Sequence, residues 1–285
     1  RSQRKVKSAY GREDREIDIP EKSRIGVLRP KESQPAEDLT ACINQNLDAP
    51  IGTEPFDKLC AGKKNICILV CDLTRPMETD RVLPILLDRI ERNAPGAKIT
   101  ILIALGTHRG LTDEEIDKLC GPGIREKYSV INHAFDDPNA LVQVPCSAEG
   151  VVNRLLTECD LRLAVGAVKP HPIFGWSGGA KIVIPGVAGY ETTGYSHWLT
   201  CPHKGIEVMG KEDNPVRLLY ESIVTNAHLM DFILNAVLTE DSKISDVRCG
   251  DMVKAHRAAV SIAKKYYVCD VDEAADAIIV GVGKW

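Results

Sequence analysis

The feature that most constrains this chain's fold is a recurring change of hydrophobic period. "NICILVC" (65–71), "KITILIAL" (98–105) and "LRLAVGAV" (161–168) are short, continuous apolar runs. Such runs suit strands buried on both faces, as in a parallel sheet. Between the first two lies "DRVLPILLDRIERNA", apolar at helical spacing, with Pro84 expected near the first turn, where proline is tolerated. "TDEEIDKLCG" reads as a helix with Thr112 as N-cap, Glu115 at the capping-box position and Gly121 past its end. "YSVINHA" reads as a further strand, and "SAEGVVNRLLTEC" as containing a helix. "ILNAVL" is another candidate strand, "DMVKAHRAAVSIAKKY" a helix and "ADAIIVGVG" a last strand. Repeated β-α-β units predict an α/β fold: a doubly wound, mostly parallel sheet with flanking helices.

The ends of the chain read differently. Near the start, "EIDIP" and "RIGVLRP" look like short edge strands, each closed by a proline, and "AEDLTACINQNL" like a helix. The expectation is a small β-rich amino-terminal extension over 1–60, packed on an α/β domain over 61–275. The closing "ADAIIVGVGKW" leaves a strand on a Gly-rich turn and stops, as a chain cut at a domain border would. The polar stretch "HKGIEVMGKEDNPV" (203–216) is the expected mobile loop. A net charge of −4 over 285 residues gives no general reason to bind nucleic acid or an anionic membrane. No apolar run is long enough to span a bilayer, and the basic start lacks a signal peptide's apolar core. Ten cysteines without a CxxC pair suggest reduced, mostly buried thiols in a cytoplasmic protein.

Ligands of open α/β sheets sit beyond the carboxyl ends of the strands. Three expected strands run into loops rich in chemistry. The first leads to "DLTRP", with Asp72, Thr74 and Arg75; the second to "GTHRG", with Thr107, His108 and Arg109. The third leads to "KPHPIFGWSGGAK", with Lys169, His171, Ser177, Gly178, Gly179 and Lys181, and "ETTGYSHW" with His197 follows. Individually these have plain readings: Asp72 as a helix cap, Arg75 as a solvated charge, Trp176 as packing. "SGGAK" lacks the P-loop spacing, and "HWLTCPH" lacks a zinc spacing. Together they suit a small anionic substrate. Two histidines can serve as acid and base. An arginine can grip a carboxylate. Glycines admit close backbone N–H contacts, and a lysine can form a covalent link. The residues alone do not name the reaction.

The motifs "YGREDREIDIP", "DLTRP", "GTHR", "HPIFGWSGGAKIVIPGVAGYETTGYSH" and "AHRAAVSIAKKY" resemble those of the nickel-pincer lactate racemase family. The resemblance runs through nearly the whole chain. It implies an isomerase: a racemase or epimerase of a small 2-hydroxy acid, working by proton-coupled hydride transfer. It implies a nickel-pincer nucleotide, pyridinium-3,5-bisthiocarboxylate mononucleotide with Ni(II), held covalently by Lys181 through a thioamide. His197 would ligate nickel, and His108 and His171 would be the paired acid and base. Arg75 would hold the substrate carboxylate, while Asp72, Thr74, Ser177, Gly178 and Gly179 would help place the cofactor. Host proteins that synthesise the cofactor would be partners. A second, carboxy-terminal α/β domain, of which 276–285 would be the truncated start, would close over the site. Two other readings stand beside this one: a hydrolase or lyase using an ordinary divalent metal, and a non-catalytic module that binds a nucleotide cofactor.

Overall fold

The structure is a computed structural model describing residues 3–10, 13–75, 77–145, 147 and 150–281. The chain divides into two compact units. One holds the described residues up to Lys31 and those from Val268 on; the other is Glu32–Tyr267. In the first, β1 (Gln3–Tyr10) and β2 (Glu13–Pro20) pair antiparallel, Val6 opposite Ile17. "EIDIP" is the end of β2. "RIGVLRP" forms no strand: Val27 and Leu28 are about two-thirds exposed, and no neighbouring strand completes a ladder. The expected last strand is also absent as far as Gly281, with Ile278 exposed by 80% and Val280 by 72%. Its remainder lies outside the described residues.

The second unit follows the alternation read from the sequence. Helix α1 (Leu39–Asp48) is capped by the Asp38 carboxylate, which accepts the Ala41 N–H at 2.9 Å. Short α2 (Phe56–Cys60) precedes β3 (Asn65–Cys71), α3 (Thr79–Asn93) and β4 (Lys98–Ala104). Pro84 sits inside α3, beyond its first turn. Helix α4 (Asp113–Cys120) carries the complete Thr112–Glu115 capping box. Then come α5 (Ile124–Lys127), β5 (Ser129–Asn132), and a hairpin of β6 (Leu141–Gln143) and β7 (Val151–Asn153). The helix expected in "SAEGVVNRLLTEC" is one turn, α6 (Leu155–Glu158), because β7 takes the Val-Val-Asn preceding it.

Strand β8 (Leu161–Val168) leads into a tight β9 (Pro170–His171) and β10 (Gly175–Trp176) pair. The chain continues through α7 (Tyr190–Trp198), α8 (Gly205–Val208) and α9 (Pro215–Asn226). The stretch expected to be a loop thus contains α8 and the start of α9, whose N-cap is fully buried Asn214. Strands β11 (Phe232–Leu238) and β12 (Ile244–Gly250) and helix α10 (Lys254–Tyr267) complete the unit.

The main sheet runs β12-β11-β8-β3-β4-β5, all parallel except the β12 edge. Alternate residues of each strand feed opposite cores. Ile66, Ile68 and Val70 meet α1, α3 and α4, while Cys67 and Leu69 face Val183, Val187 and α9. From β3 the chain steps outward to β4 and β5, then returns to β8 on the other side of β3. That reversal opens a crevice at the carboxyl ends of β3 and β8. Trp176 is fully buried and donates to the Gly210 carbonyl at 2.9 Å, a packing role.

The nine described cysteines are free thiols. Four of them are buried, Cys201 is exposed, and Cys146 lies outside the described residues. Among the described residues no helix is long and apolar enough to cross a membrane.

Candidate active site

A cavity of about 370 Å³ occupies that crevice. It gathers the ten residues to which the resemblance assigns roles: Asp72, Thr74, Arg75, His108, His171, Ser177, Gly178, Gly179, Lys181 and His197. Lys169 lines it too. Arg109 does not: its guanidinium forms a two-pronged ion pair with Glu115 at 2.7 Å on the first turn of α4.

Asp72, at the end of β3, is buried, and its Oδ2 accepts from Nδ1 of His108 at 2.6 Å. A carboxylate in that position fixes the ring proton on Nδ1 and leaves Nε2 with a lone pair. The other oxygen of Asp72 accepts from the Thr74 hydroxyl and amide, at 2.7 and 3.2 Å. Thr74 Oγ1 in turn accepts from Arg75 at 3.0 Å.

His171 has the opposite pattern. Its Nδ1 accepts the backbone N–H groups of Ile173 and Phe174, both at 3.2 Å, so the proton of the neutral ring sits on Nε2. Burial, then the nearby charges of Lys181 and Arg75, press its pKa down to about 2. Lys181 lies on the 3₁₀ turn Gly179–Ile182. Burial and the neighbouring Arg75 lower its amine to about 8, and its Nζ stands 5.8 Å from the centre of the Phe174 ring. His197 is exposed on α7; its Nδ1 donates to the Thr193 carbonyl at 2.8 Å, which leaves Nε2 free.

The glycine turn between His171 and Lys181 is held from behind by residues that sequence reasoning did not single out. Buried Arg217 donates to the Phe174 carbonyl at 2.9 Å and to that of Trp176, and pairs with Glu221 at 3.2 Å. His256, fully buried, donates from Nε2 to the Ser177 carbonyl at 2.9 Å. Asn235 Oδ1 accepts the Gly179 N–H at 3.2 Å. Gly178 and Gly179 hold φ of +77° and +59°; a Cβ on Gly178 would stand 2.6 Å from that oxygen, and one on Gly179 3.0 Å from His256. The Ser177 hydroxyl is spent inside the loop, donating to Ala167 and accepting from Lys169 N–H. A lone asparagine in an otherwise apolar strand, and a histidine amid the alanines of "AHRAA", were the available signals.

The fold and site define an α/β domain whose switch-point cavity pairs two histidines with a lysine on a glycine turn. The lactate racemase N-terminal domain profile matches residues 10–208, and the chain belongs to that family. It is 33% identical over 232 residues to the lactate racemase of Lactiplantibacillus plantarum, covering 78% of this chain and 53% of that protein. It is 31% identical over 261 residues to the lactate racemase of Thermoanaerobacterium thermosaccharolyticum, covering 88% and 60%. The solved apoprotein of the latter superposes with a TM-score of 0.80 at 30% identity, covering 92% of this chain and 63% of that one. A Thermotoga maritima protein superposes with a TM-score of 0.67 at 25% identity, covering 86% and 62%. The chain therefore spans between about half and two-thirds of the length of these proteins.

Proposed function

We propose that this domain carries the acid–base and cofactor-holding part of a cytoplasmic racemase or epimerase of small 2-hydroxy acids. The observation that carries the reading is the pair of cavity histidines held in opposite proton arrangements, one by a carboxylate and one by two backbone amides. His108, its Nδ1–H held by Asp72, presents Nε2 to take a hydroxyl proton. His171, neutral in this arrangement, presents Nε2–H as a hydrogen-bond donor to the substrate. Arg75, braced by Thr74, offers its guanidinium to the substrate carboxylate.

The cavity residues suit a nickel-pincer nucleotide. Two buried lining groups, Thr193 Oγ1 and Asn235 Nδ2, have no hydrogen-bond partner among the described residues. The amine of Lys181 is pressed toward neutrality, as covalent attachment needs. His197 has its outer nitrogen free and its inner one anchored, the arrangement of a metal-ligating histidine. Lys181 would carry the group, His197 would ligate its nickel, and the Ser177–Gly179 turn would border it. Bound there, the cofactor would take and return hydride at the substrate carbon.

An ordinary divalent-metal hydrolase is less well supported. Among the described residues no three His, Cys, Asp or Glu side chains converge as ligands. The test is loss of optical activity from a single-enantiomer 2-hydroxy acid, using protein made in cells that produce the cofactor. His108→Ala and His171→Ala should each lower the rate by about 10² to 10⁴. Undiminished rates in both would contradict the two-histidine scheme.

A further inference from the structure

Near the end of the polar stretch 203–216, one side chain is placed against the loop that carries His171. Asn214 is fully buried and is the N-cap of α9, with Pro215 following at the start of the helix. Its Oδ1 accepts the Arg217 N–H at 2.9 Å, the ordinary bond of a helix cap. Its Nδ2 serves other segments, donating to the Ile173 carbonyl at 2.8 Å and to the Val208 carbonyl at 3.0 Å.

The Ile173 carbonyl and the Phe174 N–H belong to one peptide group, and that N–H donates to Nδ1 of His171 at 3.2 Å. A peptide group is planar, so fixing its oxygen also fixes the direction of its N–H. The next peptide group is held from the same helix. Arg217, on the first turn of α9, donates from Nε to the Phe174 carbonyl at 2.9 Å. Hydrogen bonds in such a chain polarise one another, so a donor on the peptide oxygen strengthens the N–H that faces His171.

Serine or aspartate would cap α9 as well as asparagine does. Neither offers two N–H donors beside an acceptor. The amide therefore exceeds what the helix needs, and its surplus goes to the His171 loop and to Val208.

We propose that Asn214 is a positioning residue for His171. Through the Ile173–Phe174 peptide it holds an N–H on Nδ1, which keeps the ring proton on Nε2. The inference rests on the reading above, in which that Nε2–H meets the substrate.

The test is the nitrogen-15 spectrum of histidine-labelled protein at neutral pH, with His171→Ala to assign the resonances, beside turnover of the cofactor-loaded protein. Asn214→Ser keeps a cap and removes the amide donor, whereas Asn214→Ala removes both. If Asn214→Ser does not fold, Asn214→Thr replaces it. Nδ1 of His171 should shift in the serine and alanine variants alike, while His133 and His256 stay in place. In both variants kcat should fall about tenfold with KM within about twofold, the scale of one lost hydrogen bond.

A shift in Asn214→Ala alone would reduce Asn214 to a helix cap and overturn the proposal. If Nδ1 shifts in both variants and turnover does not change, the positioning stands and the catalytic part of His171 fails. If Nδ1 is unmoved in both while His171→Ala still lowers the rate, Asn214 has no part in the site and the functional reading stands.

Discussion

His108 and His171 share a cavity, yet their surroundings assign them opposite proton positions. Asp72 is the source of the His108 arrangement, so Asp72→Asn should lower turnover of the cofactor-loaded enzyme by about 10² to 10⁴, with little change in KM. An unaltered kcat would remove Asp72 from the scheme. After burial, Lys181 is the foremost reason that His171 resists protonation. Removing that cation favours the imidazolium, so Lys181→Met should move the His171 pKa upward in an NMR titration; no movement would contradict the coupling. Asp72, Thr74, Arg75, His108 and His171 were legible because each closely follows an apolar run, and the Ser177–Lys181 turn and His197 because of the long motif that carries them. Asn235, Arg217 and His256 were not: they reach the glycine turn from 56, 41 and 79 residues away, and only the packing of β11, α9 and α10 around it brings them in.

At the scale of elements, local signals were read well where one segment satisfied itself. The capping box of α4 is present as the sequence implied, and Thr112→Ala should cost about 1 kcal/mol in chemical denaturation. A cost near zero would mean that tertiary packing alone holds that helix. Strand predictions failed where pairing had to come from elsewhere. "RIGVLRP" has apolar residues but no neighbour, whereas unheralded "ISDVRCG" became β12 because β11 offered an open edge. The brace behind the glycine turn depends on Glu221, which neutralises both Arg217 and Arg257 in a buried setting. Glu221→Gln leaves a buried guanidinium without its counter-charge and should destabilise the domain by about 3 kcal/mol or more. A smaller loss in denaturant unfolding would show that the carbonyls alone suffice.

For the whole molecule, the reversal of strand order at β3 explains why loops far apart in sequence face one another. The same packing buries His133 and His256 and half-buries His171, and burial lowers the pKa values of all three below the ordinary value of about 6.5. Between the folded and unfolded values the unfolded chain binds more protons, so stability falls as pH drops below about 6.5. The Tm should decline steadily between pH 7 and pH 5, and a flat profile would contradict the neutral assignment of these rings.

The central claim is that the glycine turn presents Lys181 for covalent attachment of a nickel-bearing cofactor. The most direct measurement is peptide mass spectrometry across Lys181, with nickel analysis of the same sample, on protein made in cells that synthesise the cofactor. The account predicts a mass adduct on Lys181 accompanied by nickel, both lost in Lys181→Ala. An unmodified lysine, alongside a loaded positive control, would contradict it.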